Sequence, residues 1–338
     1  MLGVDVCRLS NFAGRGGRAP TDVGGRSERN NRLAAAAVSV RRSLVNVADD
    51  QQAGSAADVA PATSSAHDVV VNEVRLRVEE EGSGAEPVVF SHGMLRDRRM
   101  FDAQVAALRD RYRCVRYDHR GQGESESPRA AIIPMETVYD DAVALIEALG
   151  LAPCHWVGLS MGGMVGMRLA ARRPDLLRSV VLLETTAERD GLIVAIQGYL
   201  SLAVRKVLGP RLAVKVLLEP TMRLFYGSTF RRDPDRRNDY LAERADMARK
   251  LQTTSPAVIC GVLRRPPVVD ELQAITLPTI VIVGDEDTPI PPEKAKRLAD
   301  AIPHAGFEVV AGAGHTSSVE QPSALTALIA GFLDRLPR

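Results

Sequence analysis

Gly158-Leu159-Ser160-Met161-Gly162 sets a serine between two glycines, directly after His155-Trp156-Val157 and ahead of a helix-forming segment. A serine hydroxyl is a weak nucleophile. It becomes a strong one beside a base that takes its proton, with N–H groups holding the charge that develops on the attacked carbonyl. The glycines suit that use, because a sharp strand-to-helix turn strains the serine and side chains two positions away would collide. A plain glycine-rich helix start reads the same letters without chemistry, but the strand before the turn and the helix after it favour the nucleophile. Six histidines offer a base: His67, His92, His119, His155, His304 and His315. His315 closes Ala311-Gly312-Ala313-Gly314-His315, a loop of small residues after an apolar run ending at Val310. A lone loop histidine usually faces solvent, yet this one sits where the C-terminal edge of a sheet presents residues to a ligand. His155, inside a strand, and His304, before a turn, read as structural, and His92 as a support for its loop.

An acid must orient the base. Gly284-Asp285-Glu286-Asp287 follows the apolar run 279–283, and the prolines of Thr288-Pro289-Ile290-Pro291-Pro292 stiffen the loop after Asp287. Asp287 is the first candidate, and Glu184, at the end of the run 179–183, is the runner-up. Two N–H donors are expected to face the developing oxyanion: Met161, just after Ser160, and Met94, in the loop His92-Gly93-Met94.

The elements that must position these residues follow from patterning. Residues 68–78 alternate apolar and polar around Asn72-Glu73, as in a hairpin. Strands are expected at 88–91, 114–117, 155–159, 179–183, 279–283 and 307–310. Helices are expected at 99–109, 135–149, 161–172, 293–301 and 322–335. Strands alternating with helices imply a parallel sheet covered on both faces. Residues 186–265 break the alternation with long amphipathic stretches, such as Leu200 to Leu218, and read as a helical cap over the site. A basic membrane-surface helix around Arg205, Lys206, Arg211 and Lys215 is the rival reading, ranked lower because the run also buries well as cap packing.

The chain has 338 residues and a formal net charge of +1, which points to neither nucleic acid nor an anionic surface globally. No apolar run reaches the ~18 residues of a membrane span. Cys7, Cys114, Cys154 and Cys260 show no metal-ligand spacing and read as buried thiols of a reducing, cytoplasmic compartment. No metal or organic cofactor is implied. Residues 1–66 differ from the rest: residues 1–48 carry eight arginines against Asp5, Asp22 and Glu28. A disordered extension is the preferred reading, ahead of an organelle transit peptide or a twin-arginine signal at Arg41-Arg42.

Five segments occur in order: Phe90-Ser91-His92-Gly93-Met94, residues 118–125 (DHRGQGES), residues 158–163 (GLSMGG), residues 283–289 (VGDEDTP) and Gly312-Ala313-Gly314-His315. Over residues 67–338 the chain thereby resembles the α/β-hydrolase superfamily. The resemblance implies an α/β fold, a mostly parallel sheet with helices on both faces and a helical cap insertion at about 186–265. It implies a Ser160–His315–Asp287 triad, whose chain order Ser, Asp, His is that of this superfamily. Asp118, Arg120 and Ser125 would hold a loop together. The chain is similar to carboxylesterases, enol-lactonases and cofactor-free haloperoxidase or perhydrolase-like members. Dehalogenases and epoxide hydrolases of this fold use Asp where Ser160 stands. The implied reaction is hydrolysis of an ester, lactone or related small, apolar acyl substrate through an acyl-enzyme. C–C bond hydrolysis or acyl/peracid transfer on the same triad stays open, as does a ligand-binding receptor on a hydrolase scaffold.

Overall fold

The computed structural model describes residues 64–189 and 191–337. The readings of the N-terminal extension up to residue 63, and of Cys7, lie outside the described residues.

Eight strands form one sheet: β1 (Ser64–Val71), β2 (Val74–Glu81), β3 (Pro87–Ser91), β4 (Arg113–Tyr117), β5 (Cys154–Leu159), β6 (Leu177–Leu183), β7 (Thr279–Gly284) and β8 (Gly306–Val310). Their order is β1-β2-β4-β3-β5-β6-β7-β8. The β1–β2 and β2–β4 pairs are antiparallel, and the other five are parallel. The hairpin turns at Asn72 and Glu73, both at positive φ (47° and 61°), the geometry that matches strand twist in a two-residue turn. β1 starts at Ser64, three residues ahead of the boundary expected at His67.

The helices are α1 (Asp102–Leu108), α2 (Met135–Ala148), α3 (Met161–Arg172), α4 (Leu192–Phe225), α5 (Ser228–Arg232), α6 (Arg237–Thr253), α7 (Pro256–Leu263), α8 (Pro292–Ala301), α9 (Ser317–Glu320) and α10 (Pro322–Asp334). Helices α2, α3 and α8 pack Met135, Val138, Leu145, Met164, Val165 and Leu298 on one sheet face. On the other face α1, the turn before it and α10 pack Phe101, Val105, Leu108, Leu325 and Ile329. The central strands β5 and β7 are buried on both sides, which is why their sequences read as continuous apolar runs rather than alternating ones. Burying each large side chain here contributes roughly 1.5–3 kcal/mol. Cys114 and Cys154 are buried free thiols, and burial pushes each up to about 12.

Helices α4 to α7 form an insertion between β6 and β7. α4 is broken at Gly209 (φ 74°, ψ 162°), directly before Pro210; the proline cannot donate the helical N–H. Tyr240, Met247 and Leu251 form the buried stripe of the otherwise polar α6, at the spacing of one helical face.

Candidate active site

The strand order reverses direction of growth at β3, whose neighbours are β4 and β5. In open parallel sheets such a reversal leaves a crevice beyond the strand C-termini. Met94 follows β3 and Ser160 follows β5, across the register pair Ser91–Gly158.

Ser160 stands at φ 52°, ψ −107° between β5 and α3. Such backbone costs about 1–3 kcal/mol and persists only where its surroundings hold it. Ser160 N–H donates to the Leu183 carbonyl (2.8 Å) and the Ser160 carbonyl accepts from Thr185 Oγ1 (2.8 Å). A Cβ at Gly158 would lie 2.3 Å from the Gly162 carbonyl oxygen, and one at Gly162 would lie 2.0 Å from that of Ser91. The two motif glycines are therefore required by backbone packing. Met161 opens α3, so its N–H belongs to the first helical turn, where the helix dipole favours negative charge.

The structure brings His315 and Asp287 together. His315 Nδ1 lies 2.9 Å from Asp287 Oδ2, and both side chains are buried. The carboxylate accepts, so Nδ1 carries the proton and Nε2 is left with the lone pair. The other Asp287 oxygen, Oδ1, accepts from Ile290 N–H (2.9 Å) within the proline-bounded loop. The neighbouring carboxylates have separate partners. Asp285 Oδ1 accepts from Gly312 N–H (2.7 Å) and Glu286 Oε2 from Thr229 N–H (3.0 Å). The three consecutive acids thus serve His315, the loop leading to it and the helical insertion.

Glu184 does not reach His315 in hydrogen-bonding geometry. It is fully buried at φ 43°, and neither carboxyl oxygen bonds His315, whose Nδ1 is taken by Asp287. Burial drives its pKa well above the ordinary carboxylate range, and the nearby Asp287 charge pushes the same way.

The loop after β3 is held from beneath. His92 Nδ1–H donates to the Gly93 carbonyl (2.7 Å), and His92 Nε2 accepts from His119 N–H (3.0 Å). Nε2 accepts and so carries no proton, which makes the ring a neutral support, and burial lowers its pKa in the same sense. Leu95 N–H donates to Gln122 Oε1 (2.8 Å). A Cβ at Gly93 would sit 3.4 Å from Ser160 Cβ, so the loop lies against the serine. Within the DHRGQGES segment, Asp118 accepts from Arg98 N–H (2.8 Å), Arg98 Nη1 (2.7 Å) and Glu124 N–H (2.8 Å), while Arg120 pairs with Asp141 on α2. These residues hold a loop, as expected.

Sequence reasoning missed Glu320. This buried carboxylate accepts from Gly227 N–H (2.7 Å), Gly314 N–H (3.0 Å), Thr316 N–H (3.0 Å) and Thr316 Oγ1 (2.9 Å). It binds both sides of His315 to the segment after α4. His315 N–H also donates to the Phe225 carbonyl (2.9 Å), and the Phe225 ring stands edge-on to the imidazole. Nothing in the sequence near Glu320 signals this, because three of its four partners are backbone N–H groups. The insertion also fastens to the Met94 loop: Arg96 Nη1 bonds Glu243 Oε2 (2.9 Å), and Lys250 pairs with Asp97.

Ser160, His315 and Met94 line one cavity of about 220 Å³. Its remaining wall is largely apolar and comes mainly from the insertion, including Val204, Leu217, Leu224, Ile259 and Val262.

The comparisons agree with this architecture. Residues 86–322 match the model of the alpha/beta hydrolase fold family. The chain is 28% identical over 252 residues to 3-oxoadipate enol-lactonase 1 of Acinetobacter baylyi, covering 74% of this chain and 89% of that protein. A thermophilic esterase from Thermogutta terrifontis superposes with a TM-score of 0.70 at 29% identity, covering 82% of this chain and 99% of the other. The enol-lactonase from Burkholderia xenovorans gives a TM-score of 0.68 at 27% identity, covering 80% and 100%. With its sheet, its strained serine turn and a family match over most of its length, the chain belongs to the alpha/beta hydrolase family.

Proposed function

We propose that this chain is a serine hydrolase that cleaves an ester, lactone or related acyl compound through an acyl-enzyme. One observation carries the reading. Ser160, on a strained turn, opens into the same apolar cavity as His315, whose far nitrogen is already bonded to the buried Asp287.

In this reading His315 Nε2 takes the Ser160 proton as Oγ attacks the carbonyl carbon. The Met94 and Met161 N–H groups stabilise the resulting oxyanion. His315 returns the proton to the leaving group, and water then repeats the cycle on the acyl-enzyme. Asp287 holds the tautomer that leaves Nε2 free to act as base. Helices α4 to α7 act as the cap that keeps water from the acyl group and shapes its pocket. A cavity of about 220 Å³ is smaller than the roughly 300–1,000 Å³ that encloses drug-sized ligands, which favours a compact, apolar acyl group. The enol-lactonase and esterase relatives support ester or lactone chemistry.

The test is covalent labelling with a fluorophosphonate probe. The wild-type chain should be labelled at Ser160 alone, and Ser160→Ala should abolish labelling. A folded wild-type protein that stays unlabelled, or carries the label elsewhere, would leave a ligand-binding scaffold as the better reading.

A further inference from the structure

Helix α4 leaves an apolar face uncovered. Of the ten large apolar side chains exposed among the described residues, six lie on it: Ile196, Leu200, Val207, Leu208, Leu212 and Val216. Val207 is 80% exposed, beyond what single surface hydrophobes need explained. They flank the break at Gly209, where an added Cβ would meet nothing within 4 Å. Leu200 and Val216 also line the cavity that holds Ser160. The exposed face and the cavity wall are therefore continuous.

The charge on this face has one sign. From Gly191 to Leu218 the chain carries Arg205, Lys206, Arg211 and Lys215 and no acid. Arg205 turns inward and donates to the Thr254 carbonyl (2.9 Å). Lys206, Arg211 and Lys215 are exposed among the apolar side chains. Such a face could be covered by a second copy, by the chain's own N-terminal segment or by a lipid surface. A symmetric dimer through it would set the three cations against their own copies. Residues 1–48, with eight arginines and three acids, carry the same sign. An anionic bilayer supplies the opposite charge for the cations and an acyl boundary for the leucines and valines.

We propose that the exposed face of α4 around Gly209 docks the protein on an anionic lipid bilayer, with the mouth of the cavity toward the lipid. Apolar side chains on both sides of the break enter the headgroup boundary, and Lys206, Arg211 and Lys215 meet lipid phosphates. The docking stands independently of the hydrolytic reading, since it needs no chemistry at Ser160.

Co-sedimentation of the full chain with phosphatidylcholine vesicles, with and without phosphatidylglycerol, tests it. The wild type should bind phosphatidylglycerol-containing vesicles at least about tenfold more tightly, and high salt should remove that difference. Lys206→Glu/Arg211→Glu/Lys215→Glu should abolish the preference. Leu208→Asp/Leu212→Asp should lose binding to both vesicle types while keeping its melting temperature and its turnover of a short soluble ester. Ser160→Ala should bind as the wild type does, which separates docking from hydrolysis. Wild-type protein left in the supernatant with phosphatidylglycerol vesicles would overturn the proposal, as would folded variants that bind unchanged. A vesicle-free dimer that Leu208→Asp/Leu212→Asp dissociates would assign the face to a second copy and overturn it equally.

Discussion

The two sides of the cavity are built by opposite rules. At the sheet edge, the Ser160 and His315 backbones and the His315 and Asp287 side chains are bonded to specific partners, and two glycines are pressed against neighbouring backbone. Across from them, Val204, Leu217, Leu224 and Ile259 contribute volume and apolar surface. Chemistry tolerates misplacement of a few tenths of an ångström, whereas an apolar wall needs only the right size and shape. The sheet edge is therefore written in short motifs and the insertion is not. The two sides are nevertheless joined, because Phe225 and Gly227 fasten the end of α4 to the His315 loop through the His315 N–H and Glu320.

Substitutions on the two sides should separate them. Ser160→Ala should lower kcat by up to about 10⁶-fold, and His315→Ala by a comparable factor. The double variant should be no worse than either, because nucleophile and base act as one unit. Additive losses in steady-state kinetics would mean that the two residues do not work together.

The two buried carboxyls that follow β6 and β7 come next. Asp287→Asn should lower kcat by up to about 10⁴-fold by favouring the wrong imidazole tautomer. Glu184→Gln should change kcat little, because Glu184 makes no bond to His315. The reverse ranking would move the orienting acid to the end of β6.

On the insertion side the effect should be smaller and selective. Val204→Trp should cut kcat/KM for longer acyl chains by roughly tenfold or more per excluded methylene pair, leaving an acetyl ester nearly unaffected. Equal losses for all chain lengths would place Val204 in the general packing rather than in the acyl pocket.

The smallest effect concerns stability. Burial raises the Glu184 pKa. The folded chain therefore keeps a proton that the unfolded chain releases, from the ordinary glutamate pKa up to the raised value. Stability falls as pH rises through that interval. Melting temperatures measured from about pH 5 to 8 should decline less steeply in Glu184→Gln, with a residual slope from Glu320, whose burial raises its pKa too. An unchanged slope would mean that Glu184 is ionised in the folded protein.

Much of the sheet edge could be read in advance. The strands and helices fall within a few residues of their expected positions, since apolar runs of four to seven residues between turn signals survive any tertiary context. That Asp287 and His315 could meet was also readable, because each lies in the loop after a strand and sequence order limits which strands can neighbour. Glu320 and Gln122 were not. Glu320 accepts mainly from backbone N–H groups, one of them on the distant Gly227, and Gln122 accepts from the Leu95 N–H; a backbone group has no letter in the sequence. Glu184 was ambiguous for the same reason: a carboxyl at a strand end looks alike whether or not it meets an imidazole.

The amino-acid sequence by itself determined the strand–turn–helix at Ser160, the order of Ser160, Asp287 and His315, and the alternation that makes a parallel sheet, because these depend on local backbone geometry, periodicity and chain order. Tertiary structure decided which of two acids faces His315, how the insertion grips the His315 and Met94 loops, and which residues of α4 stay in water. Those outcomes depend on contacts between segments far apart in the chain, where the same side chain is buried, paired or exposed according to what packs against it.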